Sequence, residues 1–259
     1  MTPFLRVEHN GRVALLTLCR PDRLNAIGSA TLNELSDTLS DIAGDDTIGA
    51  IVVAGEGKAF SAGADIKEIG ACSNGHAFAE LVHQFTDTYA KLQELEKPSV
   101  AAIDGVALGG GFELALSCDL RVAASSARFG VPEIKLGLLP AAGGSQRLAR
   151  LLPSTIAKQL LLTGDVITAH DAHRLGLVNE LVEDGSALDV AMRLASTMAS
   201  MPPHALAAAK RLVDVGGHLP LESGIVLERE TVSRLFDTQD RVEGMNAFLE
   251  KRPAKFTGH

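Results

Sequence analysis

The apolar positions of this chain change their period several times, and each change marks an element. Arg12–Leu18 is a β-branched and leucine-rich run just after the turn dipeptide Asn10-Gly11, and it predicts a strand paired with Phe4–Glu8. Leu32, Leu35, Leu39 and Ile42 then recur every three or four residues, which is one face of a helix. Ala50–Ala54 is wholly apolar and stops at Gly55, as a strand buried on both faces would. A second helical stripe, Leu81, Phe85, Tyr89, Leu92 and Leu95, predicts a helix over Phe78–Leu95. After Pro98 come the apolar run Val100–Ile103, a helix opening on glycines at Gly109–Cys118, and another strand at Leu120–Ala123. Strands alternating with helices predict a layered α/β core.

From about Gly144 helical spacing dominates, over Ser145–Leu152, Thr155–Leu162, Ala169–Leu175, Ala187–Met201 and His204–Val215. The last stretch, Leu221–Glu250, reads as one long helix. The expected division is a core domain over residues 1–201 and a helical region over 202–259. No internal repeat or low-complexity segment breaks this pattern.

Composition narrows the class. Hydrophobic residues make up 46% of the 259 positions and charged residues 22%, the balance of a globular chain with a sizeable core. Aromatics are only 4%, without Trp, so Leu, Val, Ile and Ala must fill that core. The formal net charge of −8 is a poor global match for nucleic acid or an anionic membrane. A polyanionic ligand would need a local basic patch. The most apolar window, Ser99–Leu116, is interrupted by Asp104, Glu113 and three consecutive glycines, so no membrane span is expected. Met1–Val7 has neither a signal core nor a transit composition, and Cys19, Cys72 and Cys118 lack zinc or redox spacing. The expectation is a cytoplasmic protein with reduced, buried thiols and no metal.

Four stretches carry candidate chemistry. In Lys58–Lys67 the small residues Ala62, Gly63 and Ala64 follow a strand and let a ligand approach the main chain closely. In Gly105–Leu114 three glycines enter a helix, whose first turn offers free N–H groups and a partial positive charge to a developing oxyanion. In Phe129–Pro140, Glu133 stands among Val131, Ile134 and Leu136, where a carboxyl group has an altered proton affinity and serves as acid or base. In Ala141–Leu148, Gly143-Gly144 leads into a helix with Ser145 as its candidate cap. Each stretch alone is as well explained structurally: a loop, tight helix packing, an exposed turn, a cap. Glu113 alone could simply favour its helix dipole.

Together, in order, AFSAGADIKE, ALGGGFELALSCDLRVA, FGVPEIKLGLLPAAGGSQRLAR, LLTGDVITAHDAHRLGLVNELV and EGMNAFLEKR resemble the enoyl-CoA hydratase/isomerase (crotonase) family over nearly the whole chain. The likeness is to its hydratases, since both acidic positions are filled. The resemblance implies an α/β spiral of ββα repeats with a helical C-terminal trimerisation region, assembled as homotrimers or as hexamers. It implies an oxyanion hole from the N–H groups of Ala64 and Gly110. It also implies two catalytic glutamates: Glu133 exchanging a proton with the substrate Cα, and Glu113 activating water for syn addition to an enoyl-CoA. Coenzyme A binding is implied at Arg23, Leu24 and Ala26 and at Ala62, Ala64, Asp65, Ile66 and Lys67, with Lys67 facing phosphate. Phe248 and Lys251 would reach a neighbouring subunit's site. No cofactor beyond the substrate's own coenzyme A is implied.

Two departures from the family pattern fall near this pocket: Phe112 before the first glutamate, where hydratases often carry Cys, and Pro140-Ala141-Ala142 in place of Pro-Gly-Ala. They bear on the acyl group, for which short-chain, longer-chain and dehydroadipyl-like diacid thioesters stay open. Competing activities are an isomerase of the same family, which needs one base and no activated water, and a non-catalytic CoA- or RNA-binding relative. A serine hydrolase or P-loop nucleotidase lacks its motif here. His76 and His83 read as surface positions on a helix.

Overall fold

The computed structural model describes residues 4–259. Its elements run β1 (Leu5–Asn10), β2 (Val13–Leu18), α1 (Ser29–Ala43), β3 (Ala50–Gly55), β4 (Ala59–Ser61), α2 (Ile66–Ala71), α3 (Gly75–Glu94), β5 (Ser99–Ile103), β6 (Val106–Leu108), α4 (Gly110–Ser117), β7 (Leu120–Ala124) and β8 (Arg128–Gly130). A 3-10 turn follows at Pro132–Leu136, and then α5 (Gly144–Leu151), α6 (Ser154–Thr163), β9 (Val166–Thr168), α7 (Ala169–Arg174), β10 (Glu180–Val182), α8 (Ala187–Ala199), α9 (Pro203–Asp214), α10 (Leu221–Leu235) and α11 (Gln239–Glu250).

A six-stranded sheet in the order β1-β2-β3-β5-β7-β10 forms the centre, parallel from β2 to β10, with β1 antiparallel at one edge. The apolar runs Val13–Leu18, Ala50–Ala54 and Ser99–Ile103 are buried throughout because both faces of this sheet are covered. One face carries Leu16, Ile51, Val53 and Ile103 against the helical stripes of α1 and α3. The other carries Val52, Val100 and Val122 against Ala187, Ala191, Ala195 and Ala199, a column of small side chains that lets α8 lie close on the strands.

A second sheet, β4-β6-β8-β9, was not visible in the sequence, because its three-residue strands are too short to show a period. Each of β4, β6 and β8 follows a strand of the large sheet after a tight turn, so the chain repeats strand, strand, helix: the ββα spiral that the resemblance implied. The turn between β5 and β6 requires glycine. Gly105 has φ +73, and a Cβ there would strike the Lys58 carbonyl.

Three expectations change. Leu221–Glu250 is two helices, because Thr238 ends one and caps the next: its hydroxyl donates to Leu235 O (2.8 Å) and accepts the Arg241 N–H (3.2 Å). Ser145 does not cap α5; that helix starts from Gly143 at φ +98, with no side-chain cap. Of the three free thiols only Cys118 is buried, while Cys19 and Cys72 are partly exposed.

The helical tail is thinly buried. No residue of α9 or α10 is buried, and in α11 only Asp240 and Ala247 are. An ion pair from Lys210 to Asp119 (3.0 Å) ties α9 to the core. The chain end folds back so that the Thr257 and Gly258 N–H groups donate to the Asp240 carboxylate at 2.7 and 2.9 Å.

Candidate active site

The site begins with two loops laid side by side. After a 3-10 turn at Pro21–Arg23 the chain passes through Leu24 (φ 49) and Asn25 (φ 55), both left-handed. The buried Asn25 side chain holds that shape: it accepts the Arg20 N–H (2.9 Å) and donates to Glu56 O (2.9 Å) and Ala59 O (2.7 Å). Backbone bonds Ala62 N to Leu24 O (2.8 Å), Ile27 N to Gly63 O (2.8 Å) and Asp65 N to Ile27 O (2.7 Å) then stitch the two segments together. Arg20 crosses the seam, donating to Ala26 O (2.9 Å) and pairing with Asp65 (3.0 Å). Burial opposes the Asp65 charge, but the Arg20 hydrogen bond and the Lys67 N–H hold its carboxyl below the usual range.

Gly63 and Gly110 bring two main chains into near contact. Gly63 has φ +108, and a Cβ there would lie 2.9 Å from Leu108 O; a Cβ on Gly110 would lie 3.3 Å from Ala64 N. Neither the Ala64 N–H nor the Gly110 N–H has an acceptor among the described residues. The next peptide is held from behind: the buried Tyr89 hydroxyl donates to Gly110 O (2.8 Å), and Phe85 packs edge-on against the Tyr89 ring at 5.7 Å.

Glu113 projects from the first turn of α4 and is 3% exposed. Its Oε1 accepts the N–H groups of Ala142 (2.8 Å) and Gly144 (2.7 Å), so the stabilising dipole is that of α5 as well as its own helix. Oε2 has no hydrogen-bond partner among the described residues. Burial pushes the Glu113 pKa up to about 7, against the pull of the Gly144 N–H; the Glu133 charge adds to the rise, and the Ala142 N–H and Arg147 oppose it. Arg147 fixes the same turn, donating to Ala142 O (2.8 Å) and to Gln93 Oε1 (2.9 and 2.7 Å).

Glu133 sits in the 3-10 turn with Oε2 buried and unpartnered. A Cβ on Gly109 would come within 2.9 Å of its Oε1, so the carboxyl lies over the glycine entry to α4. Burial raises its pKa, against its own backbone N–H. The apolar surround that the sequence suggested is only partly made: Val131 is buried, whereas Ile134 and Leu136 are 42% and 59% exposed. An unpaired buried carboxylate oxygen is costly, and groups of this kind gather at functional sites.

Both glutamates open on one cleft, which Ala62, Ala64, Ile66 and Gly110 also line. Arg23, Leu24, Ala26, Asp65 and Lys67 lie outside that lining, with Arg23, Leu24 and Lys67 exposed. Phe248 and Lys251 do not reach this chain's cleft; Phe248, near the end of α11, is 83% exposed. Of the two departures, Phe112 does not touch the cleft, for it is buried against Phe129 with ring centroids 5.3 Å apart. Ala141 and Ala142 line it. Arg20, Asn25, Tyr89, Gln93 and Arg147 hold the site together without belonging to any of the four candidate roles that the sequence suggests. Tyr89 was hidden as one more apolar position of a helical stripe. Among the described residues no group of three or more His, Cys, Asp or Glu is placed to hold a metal, and no helix is long and apolar enough to cross a membrane.

The fold and site define a class: an α/β spiral whose apolar cleft sets two carboxyl groups beside a pair of main-chain N–H groups that are free among the described residues. The profile of the enoyl-CoA hydratase/isomerase family matches residues 8–259. A 2,3-dehydroadipyl-CoA hydratase of Escherichia coli is 42% identical over 258 residues, covering 98% of each chain. A short-chain-enoyl-CoA hydratase of Clostridium acetobutylicum is 40% identical over 249 residues, covering 95% of this chain and 94% of the relative. The crystal structure of an enoyl-CoA hydratase from Bacillus anthracis superposes with a TM-score of 0.96 at 36% identity, covering 99% of this chain and 100% of the other. The chain belongs to the enoyl-CoA hydratase/isomerase family.

Proposed function

We propose that this chain is an enoyl-CoA hydratase, a hydro-lyase that adds water reversibly across the 2-trans double bond of an enoyl-CoA to give the 3-hydroxyacyl-CoA. The observation that carries this reading is the pair of differently held carboxyl groups, Glu113 and Glu133, on one cleft beside the Ala64 and Gly110 N–H groups. The thioester oxygen accepts those two N–H bonds, which draws electron density away from Cβ. Such donors act most strongly in a dry site, where removing one typically costs about 3–4 kcal/mol of transition-state stabilisation. Water held by the free Oε2 of Glu113 loses a proton to it as its oxygen bonds to Cβ. The π electrons move through Cα to the thioester oxygen as an enolate. When the carbonyl re-forms, Cα takes a proton from the Glu133 carboxyl on the same face, so the addition is syn. The proton that Glu113 takes and the proton that Glu133 gives leave the total on the two carboxyl groups unchanged, which suits this exchange.

The stitched loops at Arg23–Ala26 and Ala62–Lys67 are where coenzyme A would lie, with Lys67 at the exposed edge for phosphate. Phe248 and Lys251 would complete the site of an adjacent subunit. The thinly buried helices α9 to α11 and the exposed Phe236, Phe248 and Leu249 support a homotrimer or a pair of trimers.

The test is loss of the conjugated-thioester absorbance of 2-trans-enoyl-CoA with wild type, Glu113→Gln and Glu133→Gln. Hydration by wild type, with most of the rate lost in both variants and binding of the CoA ester kept, supports the reading. A wild type that hydrates no enoyl-CoA but moves a 3-enoyl double bond to the 2-position would instead be an isomerase.

A further inference from the structure

We infer that Gln93 and Arg147 are positioning residues for the reaction, a brace that holds the Glu113 carboxyl in register with the Gly110 N–H. The inference rests on the hydratase reading. Neither side chain lines the cleft, so both act through the turn that cradles Glu113.

That turn has little support of its own. The two N–H groups on Glu113 Oε1 come from Ala142 and Gly144, and Gly143 between them is left-handed at φ +98. Helix α5 starts from it without a side-chain cap. Arg147 supplies the support. Its backbone N–H donates to Gly143 O (2.8 Å) and its Nη1 to Ala142 O (2.8 Å). The guanidinium lies so close over Gly143 that a Cβ there would strike Nη1. On its other side, Nε and Nη2 converge on Gln93 Oε1 at 2.9 and 2.7 Å. A planar fork closed on one acceptor has little freedom left to turn.

Gln93 matters because of where it stands. It lies one turn beyond Tyr89 on α3, on the same face, and Tyr89 holds Gly110 O. Phe85, one turn before Tyr89, lines the cleft itself. One face of one helix therefore carries both the oxyanion-hole peptide and, through Arg147, the Glu113 cradle. That helix is fixed in turn to α1, where Lys91 Nζ donates to Ser36 O (2.7 Å). Every one of these bonds is made within a single subunit. Register of this kind is costly to lose, since a displacement of about 1 Å at reacting groups costs about 100-fold in rate.

Charge gives the brace a signature that a purely structural contact lacks. Glu113 faces Glu133 from the 3-10 turn, Arg147 from α5 and Tyr89 from α3; the Glu133 charge raises its pKa, Arg147 lowers it, and Tyr89 stays neutral. Gln93→Glu keeps an acceptor for both Arg147 bonds but sets a carboxylate against the guanidinium, which offsets its pull on Glu113. Arg150 and His218 share the outer pocket with Gln93 and would also meet the new charge.

The test measures kcat and KM for hydration of 2-trans-butenoyl-CoA from about pH 5 to about pH 9. It uses wild type, Gln93→Leu, Gln93→Glu, Arg147→Met and the double variant of Gln93→Leu with Arg147→Met. Gln93→Leu should lower kcat about tenfold and Arg147→Met about 100-fold, with KM within about twofold of wild type. The double variant should be no slower than Arg147→Met, because Gln93 acts through Arg147. Gln93→Glu should recover kcat to within about threefold of wild type at high pH and move the acid limb of kcat/KM upward. Should Arg147→Met not fold, the two Gln93 variants decide alone. A Gln93→Leu that keeps kcat within about twofold of wild type, losses that simply multiply in the double variant, or a Gln93→Glu that stays as slow as Gln93→Leu or leaves the acid limb in place overturns the inference. The carboxyl 13C resonance of Glu113, assigned by its absence in Glu113→Gln, reads the same link without turnover. If wild type hydrates no enoyl-CoA but Gln93→Glu raises the midpoint of that resonance, the brace stands and the hydratase reading falls; an unmoved midpoint sinks the brace.

Discussion

Glu113→Gln separates charge from hydrogen bonding at the most deeply buried acid of the cleft. The glutamine oxygen still accepts the Ala142 and Gly144 N–H groups, now without a titrating proton. In wild type, burial lifts the carboxyl from 4.5 to about 7, a difference equivalent to about 3 kcal/mol. The folded chain holds this proton more tightly than the unfolded chain does. That preference is fully present below the unfolded value of 4.5, is lost as the pH rises through about 7, and stays lost above it. The glutamine variant has no such slope. Urea unfolding of both proteins at about pH 5 and about pH 8 should therefore show the variant gaining on wild type by about 2.5 kcal/mol over that interval. If Glu113 has the proposed catalytic role, this gain would accompany loss of hydration, as sites strained for function often show. A stability difference independent of pH would refute the reasoning, for it would mean that burial does not burden the Glu113 charge.

Four further predictions follow from the same geometry. If Glu113 activates water as proposed, it must be ionised, so kcat/KM should fall as the pH drops through about 7, and a profile flat down to about pH 5 would contradict that role. Tyr89 is the chain's single tyrosine and is held well above its ordinary pKa of 10 by burial, so the absorbance of tyrosinate should appear in native protein only well above pH 10 or on unfolding. Tyr89→Phe, which removes only the bond to Gly110 O, should cost about 1 kcal/mol of stability and lower kcat more than it raises KM. Gly144→Ala puts a Cβ 2.8 Å from Glu113 Oε1 and 2.9 Å from Pro140 Cβ, and the displaced carboxyl should lower kcat about 100-fold; near-wild-type turnover would show that the cradle does not position Glu113.

The large sheet and the long helices were legible because their apolar periods persist over many residues. The second sheet was not, since a three-residue strand such as Val106–Leu108 shows no alternation. The break at Thr238 escaped because the apolar spacing continues on both sides of it, and only the hydroxyl's local hydrogen bonds reveal the stop. At the site, Gly63, Gly110, Glu113 and Glu133 stood out by residue type and position. What holds them did not. The N–H groups on Glu113 come from 29 and 31 residues away, and Arg147 reaches Gln93 across 54. Contacts of that range leave no local pattern. Phe112 shows the opposite error: adjacent to Glu113 in sequence, it points into the core, because neighbouring residues of a helix face different ways.

In the proposed hydration, two carboxyl groups on one face of the substrate deliver the parts of one water molecule. Hydration of 2-trans-hexenoyl-CoA in D2O by wild type, with the product's relative configuration read by NMR, tests it most directly. The expected product carries a single deuterium at Cα, syn to the new hydroxyl at Cβ. An anti product, or deuterium scrambled over both Cα positions at early conversion, would contradict it.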